Sequence, residues 1–205
     1  MIKVHSFSDS DRFASNCFVI ESDGEYAVVD PSVTINKVSG KIPDIAERLK
    51  YILLTHCHFD HILEIDGWIN AAPKAEIIIG SLDGPSLANP IENCYLGFLG
   101  IYEGYRGKYR PVSEGDRLTL GASTIRVIDS PGHTRGGVSY RIGEHLFVGD
   151  TLFDGGGYGR CDLPGGSFEQ LEKTIIKIFT RECDGKVYPG HGPSTTLKDI
   201  INQFS

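Results

Sequence analysis

The sequence has no long apolar run, no Cys-x-x-Cys pair and no excess of basic residues. A membrane-spanning helix needs about 18 or more consecutive apolar residues, so we expect no membrane insertion. The net charge of −7 argues against a nucleic-acid-binding protein that depends on a broad basic surface. The five cysteines are scattered, and residues 1–5 do not read as an export signal. We therefore expect free thiols in a reducing cytoplasm.

The chain length and the short apolar runs predict one layered domain of mixed secondary structure. With 205 residues, positions 1–205 can form a single domain around one substantial core. The predicted strands span residues 17–20, 26–29, 51–54, 77–79, 117–120, 124–128, 138–141 and 145–148. The predicted helices span residues 43–50, 60–70, 167–179 and 193–204. This order predicts an α/β (α+β) fold in which two sheets pack face to face with helices outside.

Five of the seven histidines fall in three short segments. Residues 55–61 read THCHFDH and follow a predicted buried strand, while residues 131–134 and 189–192 both contain Pro-Gly-His. Asp150 follows another predicted strand. Imidazole and carboxylate groups gathered in this way are ligands for zinc, iron or manganese. The pattern therefore predicts a metal site built from distant parts of the chain.

The first segment contains donors for two different metal ions. In an extended stretch, residues two apart point the same way, so His56 and His58 can reach one ion while Cys57 points elsewhere. We expect the chain to turn into a helix with Asp60 near its N-cap. Asp60 and His61 at this turn can then reach a second ion.

The remaining donors complete the two metal sites. Pro-Gly makes a sharp bend that projects the following side chain from a sheet end. His133 can therefore join His56 and His58, and His191 can join the second site. Asp150 has two oxygens and can bridge both ions, which leaves positions for water as a catalytic site requires. The expected cofactors are two divalent ions, with zinc preferred and iron or manganese compatible.

This series of residues resembles the metallo-β-lactamase superfamily. The shared pattern is H-x-H-x-D-H, then a single His, an Asp and a final His, and the resemblance extends from Asp30 to His191. It implies a four-layer αββα sandwich with a dinuclear metal site along one edge. The resemblance is specific for the fold and the metal site and says much less about the substrate.

Within this superfamily, residues 130–134, 149–153 and 188–192 look like the glyoxalase II group, the hydroxyacylglutathione thioesterases. Residues 159–167 resemble the segment that follows the bridging Asp in short bacterial members of that group. Full-length glyoxalase II has a C-terminal helical domain that holds glutathione. Only fourteen residues follow His191, so we expect a short form without this domain. The sequence does not identify the thiol of its substrate.

The resemblance implies thioester hydrolysis by a metal-bridging hydroxide, with Asp60 and Asp150 as catalytic residues and a small-molecule substrate. A persulfide dioxygenase with one iron, and a lactonase with the same metal pair, remain alternatives. A β-lactamase is disfavoured because His61 follows Asp60. Only forty residues separate Asp150 from His191, which together with the acidic charge disfavours a nuclease. A flavodiiron protein would have Glu where this chain has His58.

Further residues are candidates for substrate binding or for support of the ligands. Arg160 could hold a substrate carboxylate through two hydrogen bonds, or it could form an ion pair with a nearby Asp. Tyr158 and Tyr105 could line a pocket for the acyl or thiol group, or pack at its rim. Asp30 and Thr55 are expected to contact the ligands and fix their imidazole tautomers. The sequence makes no prediction about the oligomeric state.

Overall fold

The computed structural model describes residues 1–9, 13–182 and 184–203, and within these ranges twelve strands form two six-stranded sheets. The first sheet contains β1 (Ile2–Phe7), β2 (Cys17–Ser22), β3 (Glu25–Val29), β4 (Leu49–Leu53), β5 (Glu76–Gly80) and β6 (Arg110–Val112). The second contains β7 (Arg117–Leu120), β8 (Ser123–Asp129), β9 (Val138–Ile142), β10 (His145–Gly149), β11 (Lys186–Pro189) and β12 (Thr195–Thr196). The spatial orders are β1-β2-β3-β4-β5-β6 and β12-β11-β10-β9-β8-β7.

The strand directions bring several carboxyl ends to a common edge. β1, β2 and β3 are antiparallel, whereas β3, β4, β5 and β6 run parallel. In the second sheet β7 to β10 alternate in direction, and β10 pairs in parallel with β11. β8, β10 and β11 therefore end at the same edge of their sheet, as β3 and β4 do in theirs. Loops that carry functional residues commonly follow such carboxyl ends.

Helices cover the outer faces of both sheets. They are α1 (Ile35–Ser39), α2 (Ile45–Arg48), α3 (Phe59–Ile62), α4 (Ile65–Ala71), α5 (Tyr95–Leu99), α6 (Phe168–Arg181) and α7 (Leu197–Gln203). The helices α1 to α5 pack on the first sheet around the fully buried Trp68. α6 and α7 cover the second sheet through Ile178 and Leu197. No helix of the described residues is both long and apolar enough to cross a bilayer.

The core between the sheets completes four layers. Phe18 of the first sheet packs against Phe147 and Tyr188 of the second, with ring centroids 5.6 and 5.3 Å apart. Tyr140 is fully buried there, and its hydroxyl donates to the Leu54 carbonyl oxygen at 2.8 Å. The predicted αββα sandwich is therefore confirmed.

Three predicted helices differ from the structure. Within 43–50 the helix is α2 alone, because Leu49 begins β4. Residues 60–70 form two helices, α3 and α4, since the Glu64 amide donates to the Pro31 carbonyl oxygen at 3.0 Å. Within 193–204 a strand, β12, precedes α7, and position 204 lies outside the described residues.

The longest irregular stretch contains local helices. Residues 80–110 include a 3-10 helix over Gly84–Ala88 and α5. The edge strands β1 and β6 were not predicted, because their side chains do not form apolar runs. The Ser167 side chain caps α6 by accepting from the Gln170 amide, as its Ser-x-x-Gln pattern indicates.

Candidate metal centre

The seven predicted metal donors lie at strand ends of both sheets. Residues 56–61 follow β4, His133 follows β8, Asp150 follows β10 and His191 follows β11. Their ligand atoms form overlapping groups whose members lie within 4.8 Å of one another. These groups are His56 with His58 and His133, His56 with His61 and Asp150, and Asp60 with His61 and His191.

The first group is a cluster of three imidazoles. His58 Nδ1 lies 2.8 Å from His133 Nε2, and His133 Nε2 lies 3.2 Å from His56 Nε2. Cys57 contributes nothing to this cluster, because its Sγ lies by the Glu92 carbonyl oxygen at 3.8 Å. Burial raises the pKa of Cys57 well above its usual value, so it remains a neutral thiol.

Asp150 lies between the three-imidazole group and the group of Asp60, His61 and His191. His191 Nε2 lies 3.0 Å from Asp60 Oδ2, and His61 Nε2 lies 3.2 Å from Asp150 Oδ1. The other oxygen of Asp150 lies 3.6 Å from both His133 Nε2 and His191 Nε2. One carboxylate therefore faces both groups, as a bridging ligand must.

Asp30 and Thr55 hold two of the ligand imidazoles in position. Asp30 accepts hydrogen bonds at 2.8 Å from the Thr55 amide, the Thr55 hydroxyl and His61 Nδ1. Because the Thr55 hydroxyl hydrogen is used by Asp30, its oxygen can only accept from His56 Nδ1, 3.1 Å away. In the neutral rings, the Nε2 atoms of His56 and His61 then carry no proton and face the centre. Such outer hydrogen bonds orient imidazole ligands in metal sites.

A backbone carbonyl group orients the imidazole of His133 in the same way. His133 Nδ1 donates to the Arg160 carbonyl oxygen at 2.7 Å, which leaves Nε2 free for a metal ion. The sequence indicated Arg160 only through its side chain. A backbone acceptor has no residue-type signal, so this contact could not be predicted.

Two glycines permit the close packing of the ligand loops. Gly132 has φ of 136°, and a Cβ there would lie 2.3 Å from the Leu171 amide nitrogen at the start of α6. A Cβ at Gly190 would lie 2.2 Å from Asp150 Oδ1 and 2.6 Å from His61 Cε1. The absence of a side chain at the glycine of Pro-Gly-His therefore lets α6 approach Gly132 and lets Asp150 and His61 approach Gly190.

The donor set fits two bound cations. His61 Nε2 and Asp150 Oδ1 are buried, and neither has a hydrogen-bond partner among the described residues. Burying such atoms without a partner costs about 1–3 kcal/mol each. A cation between them would satisfy both atoms. Nitrogen and oxygen donors of this kind suit zinc, iron or manganese.

The protonation states also favour cation binding. Burial, followed by the charge of His133, lowers the pKa of His58 to about 3, so that this ring is a neutral ligand. Burial lowers the pKa of His56 well below its usual value as well. Burial opposes ionisation of Asp150, but His61 outweighs it and lowers the Asp150 pKa. The carboxylates around His61 raise its pKa against the effect of burial. A cation would replace the proton there.

Asp83, which was not predicted from the sequence, joins the two loops that carry the first group. Its Oδ1 accepts from the Gly136 amide at 2.7 Å. Its Oδ2 accepts from the Thr134 hydroxyl at 2.7 Å and from the Cys57 amide at 3.2 Å. Burial raises the pKa of Asp83 against the effect of these donors. Asp83 lies shortly after the end of β5, just as Asp30 follows the end of β3. A carboxylate just after a strand could therefore have indicated Asp83 from the sequence.

Replacing Asp83 with alanine should weaken metal binding. The substitution leaves three buried donors unpaired and loosens the loops of His58 and His133. Loss of such a supporting contact lowers metal affinity by about 10–100-fold, which competition with a chromophoric chelator would measure. Asp116→Ala is the matched control, because this exposed carboxylate only accepts from the Ser113 amide. Wild-type affinity in Asp83→Ala would contradict this role.

A pocket of about 430 Å³ opens over the metal donors. Tyr158 and Arg160 line it. The Arg160 side chain is paired with Asp162, its Nε and Nη2 donating to the two carboxylate oxygens at 2.9 and 2.7 Å. The structure therefore shows the alternative ion pair. Tyr105 lies outside the pocket, buried, with its hydroxyl donating to the Lys108 carbonyl oxygen. Tyr105 is consequently removed from the candidate substrate contacts.

Two curated bacterial proteins are similar to this chain. A probable metallo-hydrolase of Streptococcus pyogenes serotype M6 is 33% identical over 190 residues, which cover 89% of this chain and 81% of the relative. BaeB of Bacillus velezensis, a probable polyketide biosynthesis zinc-dependent hydrolase, is 30% identical over 200 residues, covering 92% and 78%.

Solved structures share the fold over nearly the whole chain. The crystal structure of the BLEG-1 B3 metallo-beta-lactamase has a TM-score of 0.86 at 27% identity and covers 98% of this chain and 97% of that one. TTHA1623 in a di-iron-bound form has a TM-score of 0.80 at 26% identity, with coverage of 97% and 96%. The sequence profile of the metallo-beta-lactamase superfamily matches residues 10–191. The chain therefore belongs to the metallo-β-lactamase superfamily.

Proposed function

We propose that the chain is a metal-dependent hydrolase that cleaves thioesters of the hydroxyacyl-thiol, glyoxalase II-like class. The observation that carries this proposal is Asp150, which faces both donor groups from a single carboxylate. His56, His58 and His133 would hold one ion, and Asp60, His61 and His191 the other. When bound, two such cations supply a hydroxide at neutral pH and polarise a carbonyl oxygen.

The residues around the centre favour substrates whose leaving group departs without being protonated. Asp60 lines the pocket, where its carboxylate would hold the proton released during attack. Among the described lining residues there is no lysine, and Arg160 is held by Asp162. Arg160 keeps its proton at any ordinary pH, so it is not a general acid for a poor leaving group. A thiolate departs without one, since ordinary thiols have a pKa near 8.5. This favours thioesters over amides.

Zinc is the metal that we propose. The histidine-rich donor set suits it, and BaeB is named a zinc-dependent hydrolase. Iron is the alternative, because TTHA1623 has been solved with two irons. Metal analysis of protein purified without added metal would decide between them. We further propose a cytoplasmic location, which four free thiols support, while Cys183 lies outside the described residues.

A substrate panel tests the proposed activity. Metal-loaded protein should hydrolyse S-lactoylglutathione or related thioesters without oxygen uptake, and faster than a lactone or a chromogenic β-lactam. The β-lactam belongs in the panel because of the similarity to the BLEG-1 enzyme, although the sequence alone disfavoured this activity. Oxygen uptake with glutathione persulfide, or ring opening as the fastest reaction, would overturn the thioesterase proposal.

A further inference from the structure

The pocket beside the metal donors has an aromatic wall. Phe59 of α3 and Phe98 of α5 lie with ring centroids 5.5 Å apart. Phe153, which follows β10, packs edge-on to His191 at 6.1 Å. Leu163 also lines the pocket. An acyl group bound over the metal donors would therefore meet more carbon surface than polar surface.

The same pocket offers little to a charged ligand. Arg160 is the sole lysine or arginine among the described residues that line it. Its guanidinium makes two hydrogen bonds to Asp162 and lies over the Phe98 ring, 6.0 Å from the centroid. Two of its three nitrogens therefore donate to Asp162, which leaves Nη1 for a ligand carboxylate. Glutathione, which carries two carboxylates, finds no unpaired cation here.

We propose that the preferred substrate is a thioester with an apolar alkyl or aryl acyl group, carried on a thiol arm without carboxylates. This inference rests on the thioester hydrolysis proposed above and replaces its hydroxyacyl-glutathione substrates with a less polar class. The pocket volume of about 430 Å³ lies within the range of about 300–1,000 Å³ typical of small-molecule sites. Hydrolysis breaks the carbon–sulfur bond and forms a carbon–oxygen bond from water. It releases a carboxylate and a thiol without change of oxidation state.

Four thioesters separate the acyl preference from the thiol preference. They combine an acetyl or hexanoyl group with either N-acetylcysteamine, a neutral thiol, or glutathione. For each thiol, kcat/KM should be at least about tenfold higher for hexanoyl than for acetyl, because four more methylenes leave water. Hexanoyl-N-acetylcysteamine should be hydrolysed at least as well as hexanoylglutathione.

The outcomes of this comparison are distinct. Hydrolysis of all four compounds without an acyl preference would overturn this inference and leave the thioesterase function standing. A kcat/KM tenfold higher for glutathione esters than for N-acetylcysteamine esters would contradict the proposed preference for a thiol arm without carboxylates. If neither these compounds nor S-lactoylglutathione were hydrolysed, both proposals would fall. Calorimetric titration with the thioethers S-hexyl- and S-ethyl-N-acetylcysteamine gives a readout without turnover, and the hexyl compound should bind about tenfold more tightly.

Two variants test the residues behind the proposal. Phe98 is 50% exposed, so Phe98→Ala should fold, and it should lower the hexanoyl-to-acetyl ratio of kcat/KM by at least about threefold. Ile176→Ala is the matched control, because Ile176 is 55% exposed on α6 and does not line the pocket. Asp162→Asn releases the Arg160 charge and should raise activity on hexanoylglutathione relative to the neutral ester. The proposal would be overturned if Phe98→Ala left the hexanoyl-to-acetyl ratio unchanged and Asp162→Asn left the ratio of glutathione ester to neutral ester unchanged.

Discussion

Alanine in place of Asp150 should lower kcat/KM by about a thousandfold, because several kcal/mol of charge stabilisation depend on the metal pair. Among the described residues, Asp150 is the one carboxylate that faces both donor groups. Its removal takes a ligand from each site and leaves His61 Nε2 without its anionic neighbour. Metal content should therefore fall from two ions toward one. Steady-state kinetics and elemental analysis on the same preparation measure both effects.

Two further variants make the Asp150 experiment specific. Asp150→Asn keeps the shape of the side chain and loses its charge, so its metal content should lie between wild type and Asp150→Ala. Asp184→Ala is the matched control, since the Asp184 side chain is 86% exposed and pairs with Arg141. Full activity of Asp150→Ala with only one bound ion would contradict the two-metal mechanism.

Removing the metals with a chelator should abolish hydrolysis and destabilise the fold. A ligand present at a thousandfold excess over its Kd stabilises the folded state by about 4 kcal/mol. For a chain of this length, that loss lowers Tm by roughly 10 °C. Calorimetry before and after chelation measures the shift, and added zinc should restore both Tm and activity.

A chelator already saturated with zinc is the control for this treatment. It should leave Tm and activity as they were, because it takes no ion from the protein. Activity that survives exhaustive chelation, with metal analysis showing no transition metal, would refute the metal-dependent mechanism.

The sequence predicted those parts of the fold that local rules determine. Asp23-Gly24 joins β2 and β3 in a tight turn, with φ of 48° and 77° at the two residues, as this dipeptide indicates. The continuous apolar run over residues 51–54 predicted a strand covered on both faces, and most of it lies in β4. The spacing of residues 56–61 identified donors that the structure brings together, because alternation along an extended stretch is a local property.

The features that the sequence did not predict depend on partners distant in the chain. The break between α3 and α4 follows from the Glu64 amide, which bonds to Pro31. Asp83 acquires its role only when the loops of Cys57 and Thr134 meet around it. Arg160 supports His133 through its carbonyl group. In each case the residue type is compatible with several roles, and the tertiary neighbours select one.

The metal centre is divided between the two layers of the sandwich. Residues 56–61 extend from the first sheet, while His133, Asp150 and His191 extend from the second. Each donor group takes residues from both sheets, so we expect tight capture of the ions only after the sheets have docked. Conversely, bound ions would link the two layers, and we expect an opening of the sandwich at this edge to release them. Metal retention thus reports on whether the two halves remain joined.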